Sequence, residues 1–357
     1  MKIGIVGMPN AGKSTLFNAL TAAGAETGDY PFTTVEPNIA VVPVPDERLE
    51  RIAETIGSSE VVPETIDFYD IAGLVQGASR GEGLGNQFLA SIRETDAICH
   101  VIRAHGASAV AHPEGRIDPV TDAELVETEL LAADLEGAER RLERVTKQAR
   151  SGDKETVAER DWLEQVVEAL AAGRPAREVP APRAAPDSLR RLAPLTAKPV
   201  LYVVNVDEGE TEAPAGLLAH AEERQAKVVV ISARVEAELR DLDPGEAQEM
   251  RHELGIERSG LERLIRAAFE LLDLVTFFTA DAGKEAMART LRRGGTAYEA
   301  AGRVHGDLQR KFVRAEVIAW DELVDAGGYA AARDRGTLRI EGRDYLVRDG
   351  DVVHVRT

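Results

Sequence analysis

Lys2-Ile3-Gly4-Ile5-Val6-Gly7-Met8-Pro9-Asn10-Ala11-Gly12-Lys13-Ser14-Thr15-Leu16-Phe17 decides the fold of this chain. An apolar, β-branched run leads into Gly7-x-x-x-x-Gly12-Lys13-Ser14, and Leu16, Phe17 and Leu20 give the next segment a helical period. Strand, glycine-rich turn and helix therefore follow in the order that a phosphate cradle needs. Gly7 and Gly12 let the backbone approach a polyphosphate, while successive N–H groups and the helix N-terminus supply positive potential. Lys13 adds a point charge at the β- and γ-phosphates, and the Ser14 hydroxyl is left to face magnesium. The class this predicts is α/β, a P-loop NTPase domain with a mostly parallel sheet.

Composition bounds the rest. A chain of 357 residues accommodates two or three domains, with ample length for a core. Acidic residues outnumber basic ones 62 to 43, for a formal charge of −19, so the surface as a whole repels phosphate backbones and acidic membranes. Any nucleic-acid contact must come from a local patch. Cys99 stands alone in an apolar run, which excludes a disulfide framework and reads as a small buried hydrophobe. No run approaches about 18 apolar residues, and the amino terminus reads as a structural strand rather than a signal peptide. The expectation is a soluble, cytoplasmic protein.

After the P-loop helix, Asp29-Tyr-Pro-Phe-Thr33-Thr34-Val-Glu-Pro-Asn38 is a polar loop braced by two prolines ahead of the strand Ile39 to Val44. In nucleotide switches such a loop offers a threonine to magnesium; Thr34 is the candidate and Thr33 its competitor. A helical pattern over Asp46 to Ile56 precedes the strand Ile66 to Ile71. Asp70 ends that strand just before Ala72-Gly73, where a carboxylate holds a magnesium-bound water and the Gly73 N–H reaches the γ-phosphate. Leu74 and Val75 stand where Ras-like GTPases carry a water-orienting glutamine, so slow intrinsic hydrolysis is expected. Gln76 to Gln87 holds four glycines and reads as a switch segment. His105 and His112 follow the strand Ala97 to Ile102; either could orient the attacking water or be a solvent-exposed spectator, and His112 is the candidate.

Residues 122–172 change character. Leu131, Leu135, Ala138, Leu142, Val145 and Ala149 alternate spacings of four and three, and Leu163, Val167 and Leu170 resume the pattern after Ser151-Gly152-Asp153. This predicts a hairpin coiled coil of two helices inserted in the nucleotide domain, with plain packing on the core as the alternative. The proline-rich stretch Gly173 to Lys198 is a linker back to the sheet. The strand Pro199 to Val204 then delivers Asn205-Val206-Asp207-Glu208, where a GTPase carries Asn-Lys-x-Asp. Val206 replaces the lysine that packs over the base and Glu208 the aspartate that pairs with guanine, so guanine selectivity should be weak or lost. Asn205 can still bond the N7/N6 edge of adenine. The strand Lys227 to Ile231 ends in Ser232-Ala233, matching the last base-contacting loop of this class.

Taken together, Gly7 to Thr15, the Tyr30-Pro-Phe-Thr-Thr-Val-Glu-Pro-Asn38 loop, Asp70-Ile-Ala-Gly-Leu-Val-x-Gly-Ala-Ser-x-Gly-x-Gly-Leu-Gly-Asn86 and Asn205-Val-Asp-Glu208 closely resemble the YchF or Obg-like ATPase family. The resemblance covers essentially the whole chain. It implies a translation-factor-type NTPase that prefers ATP and associates with ribosomes. It places ATP phosphates on Asn10, Ala11, Gly12, Lys13, Ser14 and Thr15, magnesium on Ser14 and Thr34, and adenine near Asn205 and Val206. One departure is His105-Gly-Ala-Ser-Ala-Val-Ala-His112, where a Phe-Glu-x-Asp-like segment is expected, which leaves the water-positioning group open.

Short β runs at Val275 to Thr279, Phe312 to Trp320, Thr337 to Ile340, Arg343 to Val347 and Val352 to Arg356, with a helix start at Gly294 to Ala301, predict a small β-grasp sheet carrying one helix. Val304 to Val317 resembles the TGS domain of the same family. The boundaries expected are 1–121 and 199–273 for the nucleotide domain, 122–198 for the helical insertion and linker, and 274–357 for the TGS unit. Arg289, Arg292, Arg293, Arg303, Arg310, Lys311 and Arg314 form the most basic local region, either a contact for ribosomal RNA or a solvated face paired with nearby acids.

The leading reading is a magnesium-dependent ATPase switch that docks on the ribosome, through the large subunit and its RNA, as a monomer. Lys13, Asp70, Gly73 and His112 carry the chemistry, and Ser232 joins Asn205 and Val206 around the base. Asn10 could hold K+ against the phosphates. The alternatives are an Obg-type GTPase and a non-hydrolysing scaffold that uses nucleotide only to set its shape.

Overall fold

A computed structural model describes residues 1–26, 38–71, 84–106, 117–240, 242–253 and 259–357. Its strands are β1 (Lys2–Val6), β2 (Ile39–Pro43), β3 (Glu60–Val62), β4 (Thr65–Asp70), β5 (Ala97–Arg103), β6 (Val200–Asn205), β7 (Lys227–Ile231), β8 (Leu274–Ala280), β9 (Glu285–Arg292), β10 (Arg314–Ala319), β11 (Arg339–Glu341) and β12 (Asp351–Arg356). The chain divides into two compact units, residues 1–42 with 67–268 and residues 43–66 with 269–357.

The first unit is built on a sheet ordered β2-β4-β1-β5-β6-β7. Strands β4, β1, β5, β6 and β7 pair in parallel. Parallel strands covered on both faces read as unbroken apolar runs, which is why every residue of β5 is buried and Leu201 to Val204 of β6 are at most 1% exposed. The registers Ile5↔Asp70 and Asn205↔Ile231 bring the carboxyl ends of β1, β4, β6 and β7 to one edge of the sheet. That edge is where open α/β sheets bind ligands.

The insertion is a hairpin of Pro119–Ala149 and Lys154–Ala171, with Asp118 and Asp153 capping the two helices through bonds to Thr121 N and Thr156 N. Its heptad positions behave as expected: Leu131, Leu135, Ala138, Leu142, Val145, Leu163, Val167 and Leu170 share one cluster with Trp162 and Val166. The first turns of Pro119–Ala149 do something else. Val126, Leu130 and Ala133 pack with Val6, Ile98 and Ile92, so this half belongs to the sheet's own core. The linker is likewise ordered, into two 3-10 turns and the short helix Ser188–Leu192. Buried Asp134 accepts bonds from Leu195 N at 2.8 Å, Thr196 N at 2.7 Å and Thr196 Oγ1 at 2.7 Å.

The second unit holds a sheet ordered β11-β10-β12-β8-β9-β3. One face is covered by the helix Ala297–Val304, whose Thr296 and Glu299 form a capping box. The other face takes the helix Glu47–Ile56: Leu49, Ile52 and Ala53 sit among Phe278, Ile318 and Val352. Residues 43–66 therefore fall with the C-terminal unit rather than with the nucleotide domain to which their sequence position assigned them. Three further differences arise here. Strand β9 was not expected, Gly306–Arg310, Trp320–Ala326 and Tyr329–Arg335 are helices beyond the single one predicted, and Arg343 to Val347 contributes only an isolated bridge at Leu346.

Candidate functional site: a phosphate loop and a base-sized cleft

The turn after β1 adopts the conformation its glycines anticipate. Gly7 has φ 153° and Gly12 φ 100°, and a Cβ on them would lie 2.3 Å from the Val101 carbonyl oxygen and 2.2 Å from Asn205 Nδ2. Asn10 takes φ 63°, a left-handed position that asparagine tolerates. The helix Lys13–Glu26 starts here, so its unbonded N–H groups open onto the loop. Ser14 and Thr15 are exposed, whereas Lys13 is buried and its Nζ donates to the carbonyls of Gly7 at 3.0 Å and Met8 at 2.9 Å.

Burial pulls the Lys13 ammonium below its ordinary pKa, and the negative charge of Asp70 works against that shift. Burial raises the Asp70 carboxyl, and Lys13 in turn lowers it. The two groups thus share one electrostatic environment at the ends of neighbouring elements. Beside them on β5, His100 is fully enclosed, with its pKa pushed down to about 3 by burial and then by Lys13 and His220. Cys99 is buried too, its thiol pushed up to about 12 by burial, which fits the inert role read from its sequence context.

A cleft of roughly 380 Å³ runs from the loop to the ends of β6 and β7. Asn10, Gly12, Lys13, Ser14 and Thr15 line one end; His105, Asn205 to Glu208 and Ser232 to Arg234 line the rest. The phosphate-binding and base-binding residues expected from sequence therefore meet in one cavity, Ala11 excepted, which is buried beneath the loop. Asn205 is a bracket: its Nδ2 donates to the Ala11 carbonyl at 3.0 Å and its Oδ1 accepts from Ala233 N at 3.0 Å. One N–H and one lone pair remain for a base. Val206 is 3% exposed and packs with Ile102, Tyr202 and Val204, so it offers little more than an apolar floor.

Both carboxylates of the base loop have partners within the chain. Asp207 Oδ2 accepts from Gly106 N at 2.7 Å, and Glu208 Oε2 accepts from Arg234 Nη2 at 2.7 Å. Arg234 is the cleft residue that sequence reasoning passed over; its only signal was its place directly after Ser232-Ala233. Thr33, Thr34, Gly73, His112 and the segment up to Gly83 lie outside the described residues. His105 lines the cleft, with its pKa lowered by burial and then by Arg103.

Magnesium prefers hard oxygen donors, and the exposed Ser14 hydroxyl with the half-buried Asp70 carboxylate supplies them at the phosphate end. The residues present fit that ion. In the C-terminal unit the seven basic residues are not equivalent. Arg293 pairs with Asp273 at 2.9 Å, Arg310 pairs with Asp307, and Arg289 donates to the Arg303 carbonyl at 3.0 Å, while Arg292, Arg303, Lys311 and Arg314 are exposed. No helix among the described residues is long and apolar enough to cross a membrane.

Residues 2–148 match the family described as "50S ribosome-binding GTPase", and residues 274–357 match the YchF GTPase C-terminal family, described as "Protein of unknown function (DUF933)". The chain is 45% identical to the ribosome-binding ATPase YchF of Bacillus subtilis (strain 168), over 99% of this chain and 98% of that protein. It is 47% identical to the protein of the same name from Haemophilus ducreyi, with the same coverage. Among solved structures, the Schizosaccharomyces pombe YchF GTPase superposes with a TM-score of 0.89 at 33% identity, over 100% of this chain and 97% of that one.

Proposed function

The chain belongs to the YchF family, and from that premise we propose that it binds and hydrolyses ATP with Mg2+ as a switch for docking on the ribosome. Its relatives are named for both nucleotides, ATPase in the two bacterial proteins and GTPase in the Schizosaccharomyces pombe structure. One observation favours ATP: the two carboxylates that could read guanine, Asp207 and Glu208, are bonded to Gly106 N and Arg234. Guanine needs an acceptor for its N1–H and N2 amino group, whereas adenine presents an acceptor at N1 and no donor at that position.

Catalysis in this reading is positioning and electrostatics. The loop amides and Lys13 hold the β- and γ-phosphates, Lys13 with the third N–H of an ammonium that already donates to the carbonyls of Gly7 and Met8. Ser14 would ligate Mg2+ and Asp70 would hold a water bound to it, and the ion when bound would supply compensating charge to the phosphates. Thr34 as a second hydroxyl donor, Gly73 as the γ-phosphate sensor and His112 as the water-orienting group complete the proposal. Asn10 holding K+ at the phosphates is part of it too: turnover should fall when sodium replaces potassium, and equal rates in both salts would remove that element.

The ribosomal contact we assign to the large subunit, in keeping with the "50S ribosome-binding" family matched by residues 2–148. Arg292, Arg303, Lys311 and Arg314 are the exposed cations we assign to ribosomal RNA, which makes the protein a cytoplasmic one; we take it to act as a monomer. The deciding experiment is competition of ATP and GTP for the purified full chain, followed by multiple-turnover hydrolysis against Lys13→Ala and cosedimentation with ribosomes in ATP and in ADP. ATP should compete better and the wild type should release phosphate above the Lys13→Ala control. Tighter GTP binding would favour the GTPase reading, and no hydrolysis even with ribosomes the scaffold.

A further inference from the structure

We propose that Arg234 sets the base selectivity of the cleft by holding the Glu208 carboxylate away from the purine edge, an inference that rests on the ATP reading above. Arg234 and Glu208 line the same cavity as Lys13 and Asn205. Arg234 Nη2 donates to Glu208 Oε2 at 2.7 Å, and its Nε lies 3.3 Å from Glu238 Oε1, one turn along the same helix. The guanidinium thereby bridges two carboxylates, one of which occupies the guanine-reading position.

What an unheld Glu208 would do follows from its chemistry. A carboxylate accepts two hydrogen bonds side by side and so matches the paired N1–H and N2 donors of guanine. Its extra methylene relative to aspartate is flexible, so geometry alone does not prevent it from reaching a base. The pair with Arg234 opposes it, by tying Oε2 and with it the orientation of the carboxylate. Asp207 is held separately, its Oδ2 accepting from Gly106 N at 2.7 Å. Arg234 also stands in the first turn of the helix Ala233–Arg240, where the macrodipole disfavours a cation; Glu208 and Glu238 offset that cost.

Solvent limits the effect. The side chains of Arg234 and Glu208 are 67% and 41% exposed, so the pair is weak and screened by salt. Releasing Glu208 should shift the ratio of GTP to ATP affinity by up to about fivefold, the ceiling for an exposed ion pair. The test is to measure dissociation constants of Mg·ATP and Mg·GTP for the full chain, at low and high salt, in the wild type, Arg234→Ala, Arg234→Lys, Glu208→Gln and the double variant Arg234→Ala/Glu208→Gln.

Arg234→Ala should tighten GTP relative to ATP, and Arg234→Lys should keep the wild-type ratio at low salt. Glu208→Gln should change the ratio little, and the double variant should lose the gain. The wild-type ratio should move toward that of Arg234→Ala as salt rises. An unchanged ratio in Arg234→Ala, or equal weakening of both nucleotides, overturns the proposal, since Arg234 would then be idle or would touch the nucleotide itself. A wild type that prefers GTP sinks the ATP reading instead, and the direction of the Arg234→Ala shift still judges Arg234 separately.

Discussion

Replacing Asn205 with alanine should destabilise the nucleotide-free protein, and not merely weaken its grip on ATP. The side chain is 5% exposed and joins the buried loop residue Ala11 to buried Ala233, with both bonds at 3.0 Å. Deleting it strands a carbonyl and an N–H, each costing about 1–3 kcal/mol when left without a partner. Water entering from the cleft recovers part, so about 2–5 kcal/mol is expected for the two. For a unit of this size that is a fall in melting temperature of roughly 5–15 °C. Asn205→Asp is the sharper variant. It keeps an oxygen for Ala233 N but turns the other toward the Ala11 carbonyl, so it should be at least as damaging as alanine. Calorimetric melts without nucleotide, paired with ATP titrations, make the measurement. If Asn205→Ala melts with the wild type and loses only ATP affinity, Asn205 is a base contact rather than a bracket, and the reasoning fails.

Gly7→Ala places a Cβ 2.3 Å from the Val101 carbonyl oxygen, so the loop must shift off β5 and ATP binding by titration should weaken at least about 100-fold, as expected when a phosphate loop loses its backbone geometry. Lys13 has a folded pKa below its usual 10.5, so the folded state binds fewer protons than the unfolded one between the two values, and stability gained from this group rises with pH through that window. In denaturant titrations at neutral and alkaline pH, the stability of wild type minus that of Lys13→Met should therefore rise with pH; a difference that stays constant or falls contradicts the shift. Asp134→Ala strands Leu195 N and Thr196 N, and about 2–5 kcal/mol should be lost with some ATP affinity. Trp162→Ala, in the hairpin's far cluster, should lose about 3–5 kcal/mol with ATP affinity intact, both checked by melting and titration.

Legibility divided along a physical line. Features fixed by near neighbours in sequence were readable: the glycines of the phosphate loop, Asp70 at the end of its strand, the heptads of Leu131 to Val145 and the helix start within Gly294 to Ala301. Features fixed by what a surface faces were not. The period of Leu49, Ile52 and Ala53 shows that a helix has a buried side but does not name the partner, and the partner proved to be Phe278, Ile318 and Val352. Strand β9 escaped because its inward positions include Ala286 and Ala288, whose small side chains give alternation little contrast. At the base end, the exchange of lysine for Val206 and aspartate for Glu208 was evident. The commitment of Asp207 to Gly106 and of Glu208 to Arg234 was not, because hydrogen bonds between distant loops leave no periodic trace.

The insertion is better understood as two devices in series. The near half of Pro119–Ala149 grips β6 at two points. Asp134 fixes Leu195 and Thr196 just ahead of that strand, while Glu127 accepts from the Tyr202 hydroxyl midway along it and also meets His220 Nε2 and Arg224 Nε, each at 3.1 Å. Strand β6 ends in Asn205, which brackets the phosphate loop through Ala11, and continues into Asp207 and Glu208. A single covalent and hydrogen-bonded path therefore runs from the root of the helical hairpin to both ends of the nucleotide cleft. Farther along, Val145, Trp162 and Leu163 belong to the hairpin's apolar cluster, joined by the ion pairs of Glu159 with Arg141 and Arg191. The root of the hairpin is thus joined to the strand that carries Asn205 through two carboxylates, Glu127 and Asp134.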